Sequence, residues 1–370
     1  MGRVMCAAIR TLAPKFVGRS LRDITANFAK THRDFVGGQI RFMSPERGVL
    51  QCASRACLNA ICDLWAKSEG KPLWKLVCDF TPEEFVARID FRYITDLITP
   101  EEAIGMLRET KTKAEGGCGS AESGCTGLQH EDIQRLLHLA IEEGFTNFKL
   151  RVGRGVPEDR KRLQMIRSIV GPDAGTLVIS ERTRDVPQAP AYLSQLADFK
   201  IKYVLSSWAV RTFFSCPRKS IEEPTSPGRQ HVNNRIFFKQ FRQAEAVDVI
   251  NLDAVRVSGV NEVLSILLMA AKCGVGMTEV CSHISTIDYI AVSGKQSMME
   301  YTRHLHESFE HPALIDRGYH VSPPAPGYSS DLQPEVFDQY ACPSGTFWKS
   351  EKGQEMQNDP WRGCVGEQTS

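Results

Sequence analysis

The hydrophobic positions of this chain change period along its length. Over the first hundred residues they recur at three and four. Val49, Leu50, Ala53, Ala56, Cys57, Ala60, Ile61, Leu64 and Trp65 mark one face of a helix near Arg47 to Ala66. KSEGKP closes it, with Gly70 as the C-terminal stop and Pro72 barring continuation. A strand-like run, FVARIDFRYIT, comes next.

From Asp132 onward, helix and strand patterns alternate. QRLLHLAIEEG reads as an amphipathic helix closed by Gly144, and FTNFKLRV as a strand. DRKRLQMIRSIVG is a helix, TLVIS a strand and APAYLSQLADF a helix. Later, VDVINLDAV is a strand and VNEVLSILLMAAKCG a helix. Repeated units of this length imply a parallel α/β architecture, either a barrel or a doubly wound sheet. No Gly-x-Gly-x-x-Gly opens a helix after a strand, so the barrel leads.

Three stretches interrupt the order. Lys111 to Gly127 is Gly- and Ser-rich and reads as a flexible loop. Tyr203 to Ser220 is aromatic and apolar without either period, where a short strand would run directly into IEEP. After about Thr346 the chain is polar and aperiodic, and reads as a mobile tail. The expected division is a largely helical domain over 1–90, a barrel over 91–345 with the aberrant 203–220 segment, and a tail over 346–370.

Charge changes the picture by exclusion. With 45 Lys and Arg against 44 Asp and Glu, net charge is +1, and the basic residues are dispersed. That distribution offers no field for nucleic acid. The longest apolar stretch, Val263 to Ala271, is half the length of a membrane span. The twelve cysteines form no C-x-x-C pair, and several sit in apolar runs, so a reduced intracellular protein is expected. Residues 1–22 carry Arg3, Arg10, Lys15, Arg19 and Arg22 with no acid before Asp23. A mitochondrial presequence and an amphipathic surface helix both fit that pattern, leaving mitochondrion or cytoplasm open.

Candidate chemistry lies at strand ends, where barrel enzymes place catalytic groups. These are Lys149 in FKLRVG, Glu222 and Glu223 in IEEPTSP, and Asp253 in INLDAV. Each has a bland alternative as a solvated rim residue, but adjacent carboxylates before a proline suit a hard cation such as Mg²⁺. HLHESFEH, from His304 to His311, has its second histidine one place late for a zinc protease motif and reads as a helix face. Cys118 and Cys125, with no histidine nearby, make a poor zinc site.

Together with LWAKSEGKPLWKL, DFRYITD and HLHESFEHP, these segments resemble the acid-sugar dehydratases of the enolase superfamily, mandelate racemase branch, L-fuconate dehydratase-like group. The resemblance runs from about Val17 to Ser330. It implies a modified (β/α) barrel under an N-terminal α+β capping domain, here truncated because its opening strands are missing. The implied activity is Mg²⁺-dependent loss of water from a sugar acid. A base removes the proton beside the carboxylate, and Mg²⁺ stabilises the enediolate. The implied partner is a small sugar acid, with homo-oligomers allowed.

The same resemblance locates departures. Where the family has Lys-x-Lys, this chain has Lys149 and Arg151, and an arginine cannot accept a proton. The three metal carboxylate positions are matched by Ser180, Glu222 and Arg229. Asp253 matches the aspartate of an Asp/His dyad, while His283 aligns best with a downstream family histidine, or alternatively with the dyad member. A strand-helix unit is missing between Glu222 and Arg229, so the resemblance implies an incomplete barrel with impaired activity, or else a non-catalytic relative that serves as a binding or regulatory protein or is an altered splice product.

Overall fold

The structure is a computed structural model describing residues 2–37, 48–111, 119–125, 130–172, 175–180, 188–201, 203–205, 234–244, 249–254, 256–279, 281–301 and 305–358. They fall into two compact units. One comprises Met1–Thr302 with Ala313–Tyr328, the other Arg303–Pro312 with Ser329–Ser370.

The larger unit opens with helices α1 (Gly2–Leu12), α2 (Leu21–Ala26), α3 (Phe28–Val36), α4 (Gly48–Ser68), α5 (Leu73–Cys78), α6 (Pro82–Val86) and α7 (Pro100–Lys111). Polar side chains start several of them. Ser20 and Asn27 accept from the backbone N–H groups of Asp23 and Lys30. The basic N-terminus is a packed helix, with Ala8, Leu12 and Phe16 buried in the same core as Phe28, Leu58 and Leu73.

The strand expected over FVARIDFRYIT is not formed. Thr81 and Glu84 make a capping box with Pro82 in the first turn, so helix α6 starts here instead. Turns then follow, Ile89 N–H to Val86 O at 3.0 Å, Ile94 to Phe91 at 3.2 Å and Ile98 to Ile94 at 2.9 Å. They bury Phe85, Ile89, Ile94 and Ile98 without any alternation.

The α/β part runs β1 (Gly119–Cys125), α8 (His130–Glu142), β2 (Asn147–Val152), α9 (Val156–Val170), β3 (Gly175–Ser180), α10 (Gln188–Ser194), β4 (Tyr203–Leu205) and α11 (Arg235–Gln243). It continues with β5 (Val249–Leu252), α12 (Val260–Lys272), β6 (Gly276–Glu279), α13 (Ser282–Ile287), β7 (Met298–Tyr301), β8 (Ile315–Asp316) and β9 (Tyr319–His320). The sheet order is β4-β3-β2-β1-β7-β6-β5. Neighbours pair in parallel, and the last strand lies beside the first. That circular order belongs to a barrel. Most of the aromatic 203–220 stretch lies outside the described residues, beyond the short strand β4.

The Gly- and Ser-rich stretch read as a loop contains β1, paired with both β2 and β7. Composition argued against a strand there, but a barrel needs every ladder position filled, and flanking strands supply the hydrogen bonds that side chains do not. In the smaller unit the expected tail also carries structure. After α14 (Pro334–Tyr340), residues Thr346–Lys349 form α15 and Glu351–Asn358 form α16.

Alternation on β2 decides what faces where. Phe148, Leu150 and Val152 are buried against Ile133, Leu137 and Ala140 of α8 and Leu163 and Ile166 of α9. Lys149 therefore points to the opposite, concave face. Helix α8 ends as its sequence implied, with Gly144 N–H to Ile141 O at 2.9 Å and Phe145 N–H to Ala140 O at 2.9 Å. Gly144 has φ +89°, and a Cβ there would stand 2.6 Å from the Arg317 carbonyl carbon in the β8–β9 turn. Only glycine fits that approach. Helix α12 is buried on every face from Val260 to Ala270, which accounts for its mostly apolar sequence.

Candidate active site

Lys149 is 2% exposed on the concave face of β2, and its ammonium is ion-paired with Glu300 of β7. The two strands flank β1, where Gly124 stands opposite Lys149 and Glu122 opposite Glu300. Tyr301, next to Glu300, packs on the helix side and stacks on Phe145 at 5.3 Å, so Glu300 is turned inward. A buried ammonium is costly without a counter-charge. Sequence reasoning missed Glu300. Its signal was a lone acid in the apolar run MMEY, together with the need for an acid near Lys149.

The loop after β2 is held from below. Asp159 is fully buried, and its Oδ2 accepts from Gly153 N–H at 3.0 Å, Gly155 N–H at 3.1 Å and the Tyr192 hydroxyl at 2.7 Å. This carboxylate anchors the turn that follows Lys149 and Arg151. Within the β2–β3 ladder Arg151 stands opposite Ile179 and Val152 opposite Ser180. The side chains of Arg151 and Ser180, and the whole of Glu222, Glu223 and Arg229, lie outside the described residues.

Asp253 follows β5 directly, and its Oδ2 accepts from Arg256 Nε at 2.7 Å. His283, near the start of α13, is buried, and its Nδ1 accepts from the Trp74 backbone N–H at 3.3 Å. Burial lowers its pKa to about 3, and a protonated Nδ1 could not accept that bond. The Tyr328 ring lies 5.3 Å from the imidazole. Tyr328 hydroxyl accepts from Cys281 Sγ at 3.6 Å, and burial pushes its pKa well up. Lys149 is thus joined to an acid two strands away in the sheet, whereas Asp253 and His283 hold a guanidinium and a backbone amide.

The segments that carried the family resemblance do structural work. Asp90 of DFRYITD is buried with Arg92 at 2.7 Å, Arg235 at 3.3 Å and Arg33 at 3.6 Å. Burial raises the Asp90 pKa, but hydrogen bonds from Arg92 and the charge of Arg235 outweigh it and leave the carboxyl below its ordinary value. Arg235 in turn meets Glu262 at 2.6 Å. From LWAKSEGKPLWKL, Leu73 N–H donates to Gly327 O at 2.8 Å and Trp74 Nε1 to Pro323 O at 2.7 Å.

The resemblance implies Mg²⁺, and the described residues assemble no donor set for it. Of the three positions implied for its ligands, Ser180 and Arg229 bring no carboxylate. Among the described residues, no group of three or more His, Cys, Asp or Glu could hold a metal ion. One carboxylate leaves a dication largely to its waters. Cys6, Cys52, Cys57, Cys62, Cys78, Cys273, Cys281 and Cys342 are free thiols, and no described helix is long and apolar enough to cross a membrane.

Comparison with known proteins agrees with the circular strand order. A family model described as enolase C-terminal domain-like matches residues 217–336. The crystal structure of human mitochondrial enolase superfamily member 1 superposes with a TM-score of 0.84 at 33% identity, covering 94% of this chain and 85% of that one. This chain belongs to the enolase superfamily. Within the superfamily, the L-galactonate dehydratase of Hypocrea jecorina is 38% identical over 376 residues, 93% of this chain and 83% of that protein. L-talarate dehydratase from Polaromonas sp. JS666, solved with Mg and L-glucarate, has a TM-score of 0.65 at 18% identity, over 90% of this chain and 84% of that one. At that identity the likeness speaks for the superfamily fold alone.

Proposed function

We propose that this chain takes a sugar acid of the L-fuconate or L-galactonate kind into the barrel and catalyses its dehydration with impaired turnover. The observation that carries the reading is the Lys149–Glu300 pair on the concave face, a proton donor and acceptor in contact where barrel enzymes bind substrate. Similarity to L-galactonate dehydratase over nearly the whole chain supports the substrate class. As an ion pair, Lys149 is protonated. To remove the proton beside a substrate carboxylate it must first release its own.

Impairment follows from the groups that are altered. Arg151 cannot share the base's work, and Ser180 and Arg229 leave the developing enediolate with little cationic stabilisation. Losing one such electrostatic partner typically slows turnover about 10²- to 10³-fold. A second reading, a non-catalytic protein that binds a sugar acid, is favoured by one observation. Asp253 and His283, the two expected dyad members, are engaged by Arg256 and by the Trp74 amide.

The test is incubation of purified protein with L-fuconate or L-galactonate and Mg²⁺, with NMR detection of the 2-keto-3-deoxy acid. Slow product formation, lost in Lys149→Met and in Glu222→Gln, is expected. Undiminished turnover in both variants would overturn the assignment. A sugar-acid-dependent rise in melting temperature without product would move the reading to the binding protein. Restoring Ser180→Asp with Arg151→Lys is expected not to rescue turnover, because Arg229 still stands at the third ligand position. The names of the mitochondrial relatives support a mitochondrial location for this reading, with the cytoplasm as the alternative.

A further inference from the structure

The loop that leaves β2 places an arginine between two glycines, Gly153, Arg154 and Gly155. β2 runs parallel to β1 and β3, so this loop stands at the C-terminal rim of the strands, where barrel enzymes receive their substrates. Gly153 has φ +130° and Gly155 φ +131°, a backbone conformation that residues with a Cβ rarely adopt. A Cβ at Gly155 would meet no atom within 4 Å, so glycine is there for the backbone and not for space.

Both glycine N–H groups donate to one carboxylate oxygen, Asp159 Oδ2, at 3.0 and 3.1 Å. Asp159 N–H donates back to Gly155 O at 2.9 Å, so Gly155 is fastened through its N–H and its carbonyl. The buried Tyr192 of α10 adds a third bond to the same oxygen and ties the loop to the neighbouring unit. A fully buried carboxylate is costly to place, and here its hydrogen bonds hold one loop conformation. The residue so presented is exposed, and Arg154 makes no hydrogen bond or ion pair among the described residues. Other cations at the strand ends are engaged, Lys149 by Glu300 and Arg256 by Asp253.

We propose that Arg154 is a specificity-determining residue whose guanidinium binds the carboxylate of the sugar acid. Asp159 and Tyr192 are its positioning residues, acting through the loop. A guanidinium offers two parallel N–H donors to a carboxylate, and a backbone fixed in advance reduces what is lost on binding. This role rests on the barrel taking a sugar acid, as proposed, but not on its turning one over.

Calorimetric titration of the full chain compares L-galactonate with galactitol, the same carbon chain with a hydroxyl in place of the carboxylate. Arg154→Ala is expected to weaken L-galactonate at least about tenfold, equivalent to about 1.4 kcal/mol, and to leave galactitol unchanged. Arg154→Lys recovers part of the loss, because an ammonium cannot form the paired bonds. Lys161→Ala removes an exposed cation of α9 and is expected to change neither ligand. Tyr192→Phe leaves the guanidinium in place but loosens the loop, so L-galactonate weakens relative to galactitol and the Gly153 and Gly155 amides exchange faster. A purely structural Tyr192 would lower the melting temperature and leave that ratio alone, which would overturn its positioning role. L-Galactonate binding unchanged in Arg154→Ala, or reduced equally in Lys161→Ala, would overturn the role of Arg154 while the sugar-acid reading stands. No saturable L-galactonate binding by the parent would overturn both.

Discussion

Lys149 and Glu300 meet on the concave face of the barrel although 151 positions separate them in the chain. Each sits on a strand beside β1. The pair is the most consequential contact in the larger unit, because it neutralises a buried ammonium and places a proton carrier at the proposed site.

Lys149→Met is expected to lower stability by about 3 kcal/mol, since it removes the ammonium that balances the Glu300 carboxylate. Glu300→Leu alone should cost as much or more, stranding the ammonium. The double variant is expected to recover most of the loss, and a double-mutant cycle from urea unfolding measures the coupling. Additive losses would show that the pair is not formed in solution.

Arg235 links Asp90 to Glu262 inside the helical core. Arg235→Met strands the buried Glu262 carboxylate and removes one of three guanidinium partners of Asp90, and is expected to cost about 3–5 kcal/mol, read from the urea midpoint. Arg235→Lys should recover only part of this, because an ammonium cannot span both acids in the planar geometry of a guanidinium.

His283 sets one pH dependence. Its folded pKa, about 3, lies below the ordinary 6.5, so the folded state favours the neutral ring. The contribution is fully present above 6.5 and is lost as pH falls from there toward 3. His283→Gln keeps an acceptor for the Trp74 amide but does not titrate. Unfolding midpoints between pH 4 and 7 should therefore fall less steeply in that variant.

Asp288 sets the opposite one. Its folded pKa is raised from 3.8 to about 7, so its contribution is present below 3.8 and lost as pH rises through 7. Asp288→Asn is expected to gain a few kcal/mol relative to the parent at pH 8 and little at pH 4. Equal differences at both pH values would show that the carboxyl is not desolvated.

Local order was legible wherever one residue type settles a local question. Gly70, Gly144 and Gly274 end their helices as the sequence implied, because a C-terminal glycine needs only its own turn. The alternation of Phe148, Leu150 and Val152 on β2 was readable for the same reason, and it put Lys149 on the concave face. Sequence also named Asp253, His283 and the substituted positions Arg151, Ser180 and Arg229 through the family resemblance. It misjudged FVARIDFRYIT, where the capping box of Thr81 and Glu84 outweighed an apparent alternation, and the Gly- and Ser-rich β1, whose pairing is supplied by β2 and β7. Only the tertiary structure decided that Glu300 partners Lys149, that Arg256 and the Trp74 amide hold Asp253 and His283, and that Asp159 ties the loop after β2 to α10. Each of these depends on which groups packing in three dimensions brings together.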